Sequence, residues 1–309
     1  MLYLISAIVF GSLFSVIFKV CQKMKIDCNQ VILFNYVTAF VATTVSILFR
    51  LLSGRAAPAD FSLQPLSYAL AFFVGVLFFL GFALMDRSVW RSGVALTTVS
   101  ARASLILPVI LSWLLLYQPE PEWLPVGIVL ASLALIVLPA ENEKHENVQL
   151  TAKTDSQRRR RAVILLLTVF LCYGVSDFSL KVAQHSVEIN MKEGMLSDTF
   201  LDTLTAVIFF SASLLSLLWC LATGSFRKNP AGWRSLLGGV VLGVVNLLGT
   251  SSSLRALSVM STNLYYPLYN IGIVLVATFV GVFFFKEKLK WVQYVGIALS
   301  ILAIILFFR

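Results

Sequence analysis

A series of long apolar runs, separated by short polar gaps, constrains this chain more than any other feature. The runs fall at about 2–20, 31–52, 66–86, 93–116, 123–140, 162–184, 199–222, 235–255, 262–285 and 291–308. A bilayer core about 30 Å thick is crossed by roughly 20 apolar residues in helical form. Within hydrocarbon every backbone amide needs a partner inside the protein, so spanning segments are helices or closed barrels. These runs lack the period-two alternation of a barrel strand. They predict an all-α integral membrane protein with ten transmembrane helices.

Composition supports the same reading. Apolar residues make up 59% of the chain and charged residues 13%, too little charge to clothe a soluble domain of this length. The net charge of +9 does not indicate nucleic-acid binding, because the basic residues cluster in the short gaps between runs, as membrane topology requires. Cys21, Cys28, Cys172 and Cys220 have no metal-ligand spacing, and His145 and His185 form no cluster. No cofactor, metal or disulfide is expected. The opening MLYLISAIVFGSLFSVIF has no basic leader and no small-residue cleavage site, so it reads as a first span rather than a removed signal.

The two halves of the chain repeat. Lys19-Val20-Cys21-Gln22 closes the first run and Lys181-Val182-Ala183-Gln184 the sixth. EWLPVGIVLASLALIVL in the fifth run corresponds to KWVQYVGIALSILAIILF in the tenth, aligning Gly127 with Gly296. Both matches occur in the same order with similar offsets, which predicts two five-helix repeats, 1–140 and 162–309, joined by a polar loop at 141–161. An odd number of spans per repeat inverts the second copy in the membrane. Loop charge partly follows this. Lys23 and Lys25 after the first run contrast with Glu188, Glu193, Asp198 and Asp202 after the sixth, but the loops after the second and seventh are both basic. Leaving out Arg102, 17 Lys and Arg residues lie on the side of the odd-numbered loops and six on the other, which by the positive-inside rule puts both termini outside the cytoplasm.

Polar residues inside the runs are the candidate site. A charge near the bilayer centre costs at least about 2.5 kcal/mol. The fourth run, VALTTVSARASLILP, holds Arg102 near its middle, with Thr98 one turn earlier and Pro108 beyond. Pro108 cannot donate to the helix and favours a kink beside a wet cavity; alternatively Arg102 snorkels or makes a structural pair. In the sixth run Tyr173, Asp177, Lys181 and Gln184 form a stripe, matched in the first by Ser12, Ser15, Lys19 and Gln22. Asp177 and Lys181 are spaced to neutralise each other locally, or to exchange partners as a substrate or proton arrives. In the ninth run Asn263, Tyr266 and Asn270 share a face beside Pro267, a mixture of rings and amides that suits an organic ligand or simple core packing. Asn246, Thr250 and Ser253 follow helical spacing in the eighth, where Gly239 and Gly243 suit close helix packing. No Gly-x-Ser-x-Gly, His-Glu-x-x-His or phosphate-loop motif is present, so neither an enzyme nor an ATP-driven pump is expected.

The chain resembles the drug/metabolite transporter superfamily, in its EamA-domain branch. The resemblance rests on the two five-span halves, on Phe285-Lys286-Glu287-Lys288-Leu289 with Gly296 beyond it, and on Ala256-Leu257-Ser258-Val259-Met260-Ser261 entering the ninth run. The first half departs from the pattern, with Gln118 at the Glu position, Glu120 nearby, and Phe10-Gly11-Ser12-Leu13-Phe14 in place of a Trp-Gly start. The resemblance implies two inverted five-helix repeats around a central cavity and secondary transport of a small organic metabolite or drug across a bacterial cytoplasmic membrane. It also implies termini that are often cytoplasmic, against the charge count. The expected partners are a small-molecule substrate, the lipid bilayer and, as a candidate, a second copy of the chain; nucleic acid is not expected. The expected substrate residues are Arg102, Thr98, Ser15, Tyr173, Asn263, Tyr266 and Asn270. Asp177, Lys181 and Lys19 are the candidates for proton coupling or gating. The alternatives are a flippase for a lipid-linked substrate and a non-transporting scaffold subunit.

Overall fold

The computed structural model describes all residues except 25, 93, 117–122, 138–154, 190–197, 229–231, 286–290 and 308–309. The described residues are almost entirely helical and contain no strand. In chain order the helices are α1 (Leu2–Lys23), α2 (Cys28–Leu52), α3 (Pro65–Ser92), α4 (Val94–Ala103), α5 (Ile106–Leu116), α6 (Leu124–Val137), α7 (Asp155–Ile189), α8 (Asp198–Thr223), the short α9 (Ser225–Lys228), α10 (Trp233–Val259), α11 (Thr262–Phe285) and α12 (Trp291–Phe307). A single 3-10 turn, Pro58–Phe61, precedes α3.

Among the described residues five helices are long and apolar enough to cross a membrane: Cys28–Leu52, Pro65–Ser88, Arg160–Ser186, Thr199–Thr223 and Trp233–Val259. Burial points the same way. On α2 the exposed face carries Val37, Val41, Val45, Leu48, Phe49 and Leu52, while Gln30, Asn35 and Thr43 are buried. A helix of a water-soluble domain distributes these residue types the other way round. Continuous apolar exposure of this kind marks a surface that meets something other than water. Several buried hydroxyls bond to their own helices: Thr43 donates to the Ala39 carbonyl at 2.8 Å and Thr205 to Leu201 at 2.7 Å.

Helix ends follow the local sequence. Asp27 caps α2, its carboxylate accepting the Asn29 amide at 3.0 Å. At the other end Gly54 adopts φ +65°, the left-handed conformation that glycine reaches without strain. The Gly54 amide then reaches the Leu51 carbonyl at 3.2 Å and the Arg55 amide reaches Arg50 at 3.0 Å, the paired closure of a Schellman end. Pro65 opens α3, at a position where a missing N–H costs nothing.

Two sequence expectations change. The fourth apolar run, predicted as one span, is two helices separated at Ser104 and Leu105. Pro108 has no N–H for the Ser104 carbonyl, which accepts the Leu107 amide at 3.0 Å instead. The break thus falls four residues before the proline. The sixth helix starts at Asp155, so residues 155–161 of the predicted polar loop belong to α7; the rest of that loop lies outside the described residues.

The chain forms two compact units. Unit 1 is Met1–Phe79 with Ser179–Met260, and unit 2 is Leu80–Phe178 with Ser261–Arg309. Each unit therefore draws on both halves of the sequence. In unit 1, α2 packs between α8 and α10, and α1 lies on α10. The α2–α10 contact is backbone-close. A Cβ added at Gly239 would sit 2.3 Å from Phe34 Cβ, and one at Gly243 would sit 2.5 Å from the Asn35 carbonyl oxygen. This is the close packing expected of Gly239 and Gly243 from their spacing. Tyr36 and Phe40 meet Phe209 and Phe210 on α8, with ring centroids 6.2 and 5.4 Å apart. In unit 2, α6 lies along α12, and α11 packs on α5 and α6.

Candidate functional site

Unit 2 gathers most of the predicted site residues. The helix break leaves Arg102 in the last turn of α4, where the free carbonyl ends favour a cation. Ser100 anchors that helix to α7 through the Leu166 carbonyl at 2.6 Å, and Ser88 on α3 pairs with Thr97 at 2.8 Å. The Arg102 guanidinium donates through Nη1 to Asn270 Oδ1 at 3.2 Å. Asn270, itself buried, donates through Nδ2 to the Tyr266 carbonyl at 2.9 Å. The Tyr266 hydroxyl donates to the backbone carbonyl of Asp177. One continuous chain of hydrogen bonds thus ties α4, α11 and α7 together. It takes in the Arg102 guanidinium and, through the backbone carbonyl alone, Asp177.

The surroundings are aromatic. Tyr265 stacks on Tyr269, with centroids 5.4 Å apart and planes inclined by 14°. Tyr173 directs its hydroxyl at the Met85 sulfur, 3.1 Å away. Tyr173, Tyr269 and Asp177 all lie within electrostatic range of the Arg102 guanidinium. Pro267 sits inside α11, so the Asn263 carbonyl one turn earlier gets no amide from it. Asn263 is fully buried near the start of that helix, on the face shared with Tyr266 and Asn270, as the spacing predicted.

The local neutralised pair of Asp177 and Lys181 does not form. Among the described residues the Asp177 carboxylate is in no ion pair. Lys181 belongs to unit 1, is 4% exposed, and donates to Gln184 Oε1 at 2.7 Å and the Leu257 carbonyl at 2.8 Å. Ser15, Lys19 and Thr98 lie on α1 and α4, but their side chains are outside the described residues.

Unit 1 holds two polar clusters, of which the sequence singled out only the Asn246 and Thr250 spacing. Asp202, counted with the loop acids after the sixth run although it falls within the seventh, is a buried residue of α8. Its carboxylate faces Arg50 Nε of α2 at 3.4 Å and Arg255 Nη2 of α10 at 3.8 Å. Asp202, like Asp177, is thus an acid inside an apolar helix. Deeper in the same unit Asn246 Nδ2 donates to Asn35 Oδ1 at 3.2 Å, and Thr250 approaches Asn246 Oδ1 at 3.5 Å. One acid or amide within each of three apolar runs was the only available signal. Nothing in the order of residues says which ends meet.

No family model matches the sequence. The chain is 27% identical to an uncharacterized protein of Haemophilus influenzae, over 97% of this chain and 95% of that protein. A solved crystal structure superposes with a TM-score of 0.73 at 12% identity, covering 99% of this chain and 94% of the other. The chain shares its fold with that protein. Its described residues form no strand and include five helices long and apolar enough to cross a membrane.

Proposed function

We propose that this chain is a secondary transporter of a small organic solute, working by alternating access in a bacterial cytoplasmic membrane. In this reading ten spans form two inverted five-helix repeats of the drug/metabolite transporter type, in its EamA branch. The observation that carries it is the Arg102–Asn270–Tyr266–Asp177 network. A guanidinium and a carboxylate inside apolar helices, neither in an ion pair among the described residues, are costly in hydrocarbon. They are retained where they meet a polar ligand or line its path. Asp177 supplies the negative charge on which a travelling cation would act, whether a proton or a group on the solute. The repeat of Lys19-Val20-Cys21-Gln22 as Lys181-Val182-Ala183-Gln184 supports the inverted architecture.

Reconstitution into sealed proteoliposomes tests the proposal. Solute flux above that of empty vesicles is expected for the wild type, and its loss for Arg102→Ala and Asp177→Asn. Flux unchanged in both variants removes these residues from the transport path.

A further inference from the structure

We propose that a groove along the α2–α8 seam of unit 1 holds an acyl chain of an anionic phospholipid, with the lipid phosphate against the bases that follow α8. This lipid is a resident of the protein surface, and the proposal does not depend on transport.

The two helices run antiparallel. Cys220 Sγ reaches the Asn29 carbonyl at 3.4 Å near one end, and Asp202 meets Arg50 near the other. Between these ends Leu33, Phe34, Val37 and Phe40 of α2 line a cavity of about 280 Å³ with Phe210 and Leu217 of α8. Val37, Phe210 and Leu217 are exposed, so the groove opens outward. The lining hydroxyl, that of Ser213, is committed to the Phe210 carbonyl at 2.8 Å. The walls therefore offer dispersion contacts rather than polar partners, which selects a hydrocarbon occupant.

Size and depth favour a chain over a helix. One turn of α-helix with its side chains fills roughly 400–600 Å³, more than the groove can seat. At about 30 Å³ per methylene, close to the share of a water molecule in the liquid, the groove takes roughly nine carbons. Leu33 lies five residues beyond the start of α2 at Cys28, and Phe40 twelve; these are depths of about 8 and 18 Å at the helical rise. The hydrocarbon of one leaflet is about 15 Å deep. The groove thus occupies the level of an acyl chain entering from the Cys28 end of α2.

The same end is basic. The short α9 packs on both α2 and α8, and the Ser225 hydroxyl ties it to the Asp27 carboxylate at 2.7 Å. Residues 224–235 carry Arg227, Lys228 and Arg234 and no acid. Arg227 and Arg234 are exposed. The Arg234 guanidinium lies 5.8 Å from the centroid of the Trp233 ring, a side chain that prefers headgroup depth. Bases at this level attract anionic headgroups. A neutral lipid fills the groove equally well but gains nothing from them.

The test uses the purified full-length protein. Phosphatidylglycerol, phosphatidylcholine with the same chains, and inorganic phosphate are each titrated, and bound copies are counted by native mass spectrometry. Phosphatidylglycerol is expected to bind at concentrations about tenfold lower than phosphatidylcholine, a factor within what two bases at a membrane surface supply. Phosphate alone should not compete with it. Arg227→Gln with Lys228→Gln should abolish the preference and leave phosphatidylcholine binding unchanged. Val37→Trp, which fills the groove from an exposed position, should weaken both lipids about tenfold. Equal binding of the two lipids to the wild type, or displacement by phosphate at the lipid's own concentration, overturns the proposal. A phosphatidylglycerol with a photoreactive diazirine midway along one chain locates the site on the wild type, so the outcome stands even if a variant fails to fold. Crosslinks are expected within 33–40 and 210–217. Label spread evenly over the exposed helix faces, or a dimer of this chain that Val37→Trp dissolves, overturns the groove assignment.

Discussion

Replacing Gly243 by alanine tests how unit 1 is held together. The added Cβ would lie 2.5 Å from the Asn35 carbonyl oxygen and 2.7 Å from Thr38 Cβ. Ordinary contact begins near 3.4 Å, so α10 and α2 must separate by nearly ~1 Å. Neither obstacle is the end of a flexible side chain, and rotation cannot relieve the clash. Overpacking of this kind costs about 1–3 kcal/mol. The separation also stretches the Asn246–Asn35 bond, already 3.2 Å long, and a helix-to-helix bond in a membrane contributes about 0.6 kcal/mol. The expected loss is therefore about 2–3 kcal/mol. Equilibrium unfolding in mixed micelles, followed by tryptophan fluorescence, measures it. Val244→Ala is the control, because Val244 is the next residue of the same helix and is 43% exposed; its change should stay within about 0.5 kcal/mol. If Gly243→Ala unfolds with the control, the close approach of these two helices is not what holds them.

Pro108→Ala restores a donor for the Ser104 carbonyl and should join α4 to α5; a higher thermal midpoint with reduced flux is expected, and unchanged flux separates the helix break from function. Tyr266→Phe deletes the donor to the Asp177 carbonyl and should cost about 1 kcal/mol of stability together with most of the flux in proteoliposomes. Asp202→Asn should destabilise by about 1 kcal/mol, a modest figure because Arg50 and Arg255 keep 31% and 25% side-chain exposure and water screens them. A double-mutant cycle with Arg50→Ala that returns no coupling would show the ion pair to be idle. Asn35→Leu alone should destabilise more than Asn35→Leu with Asn246→Leu, since the single change strands the half-buried Asn246 amide; equal losses by thermal denaturation would contradict the pairing.

Much of the helical layout was legible in the chain because hydrocarbon imposes a simple rule. A segment that satisfies its own backbone must be helical and about 20 residues long, so the apolar runs mark their helices closely. The ninth run coincides with α11 at both ends. Side-chain spacing along one helix was equally readable, and it put Asn263, Tyr266 and Asn270 on one face before any packing was known. The Pro108 break was anticipated in kind but not in place. A proline acts on the carbonyl four residues before it, and the hydrogen bonds that replace the lost one decide where the axis parts.

Pairing between helices is a different matter. Arg102 and Asn270 stand 168 positions apart and touch; Asp202 reaches two arginines from helices far apart in the chain. Periodicity reports which face of a helix is polar but carries no information about which helix that face meets. The amino-acid order alone marked long apolar helices, each carrying a few polar residues on one face. Only the tertiary structure decided that Tyr266 would bind the backbone of Asp177 rather than its carboxylate, that Lys181 would find Gln184 and Leu257, and that each compact unit would be assembled from both halves of the sequence. Those choices depend on distances between segments remote in the chain, which arise only when the helices have packed.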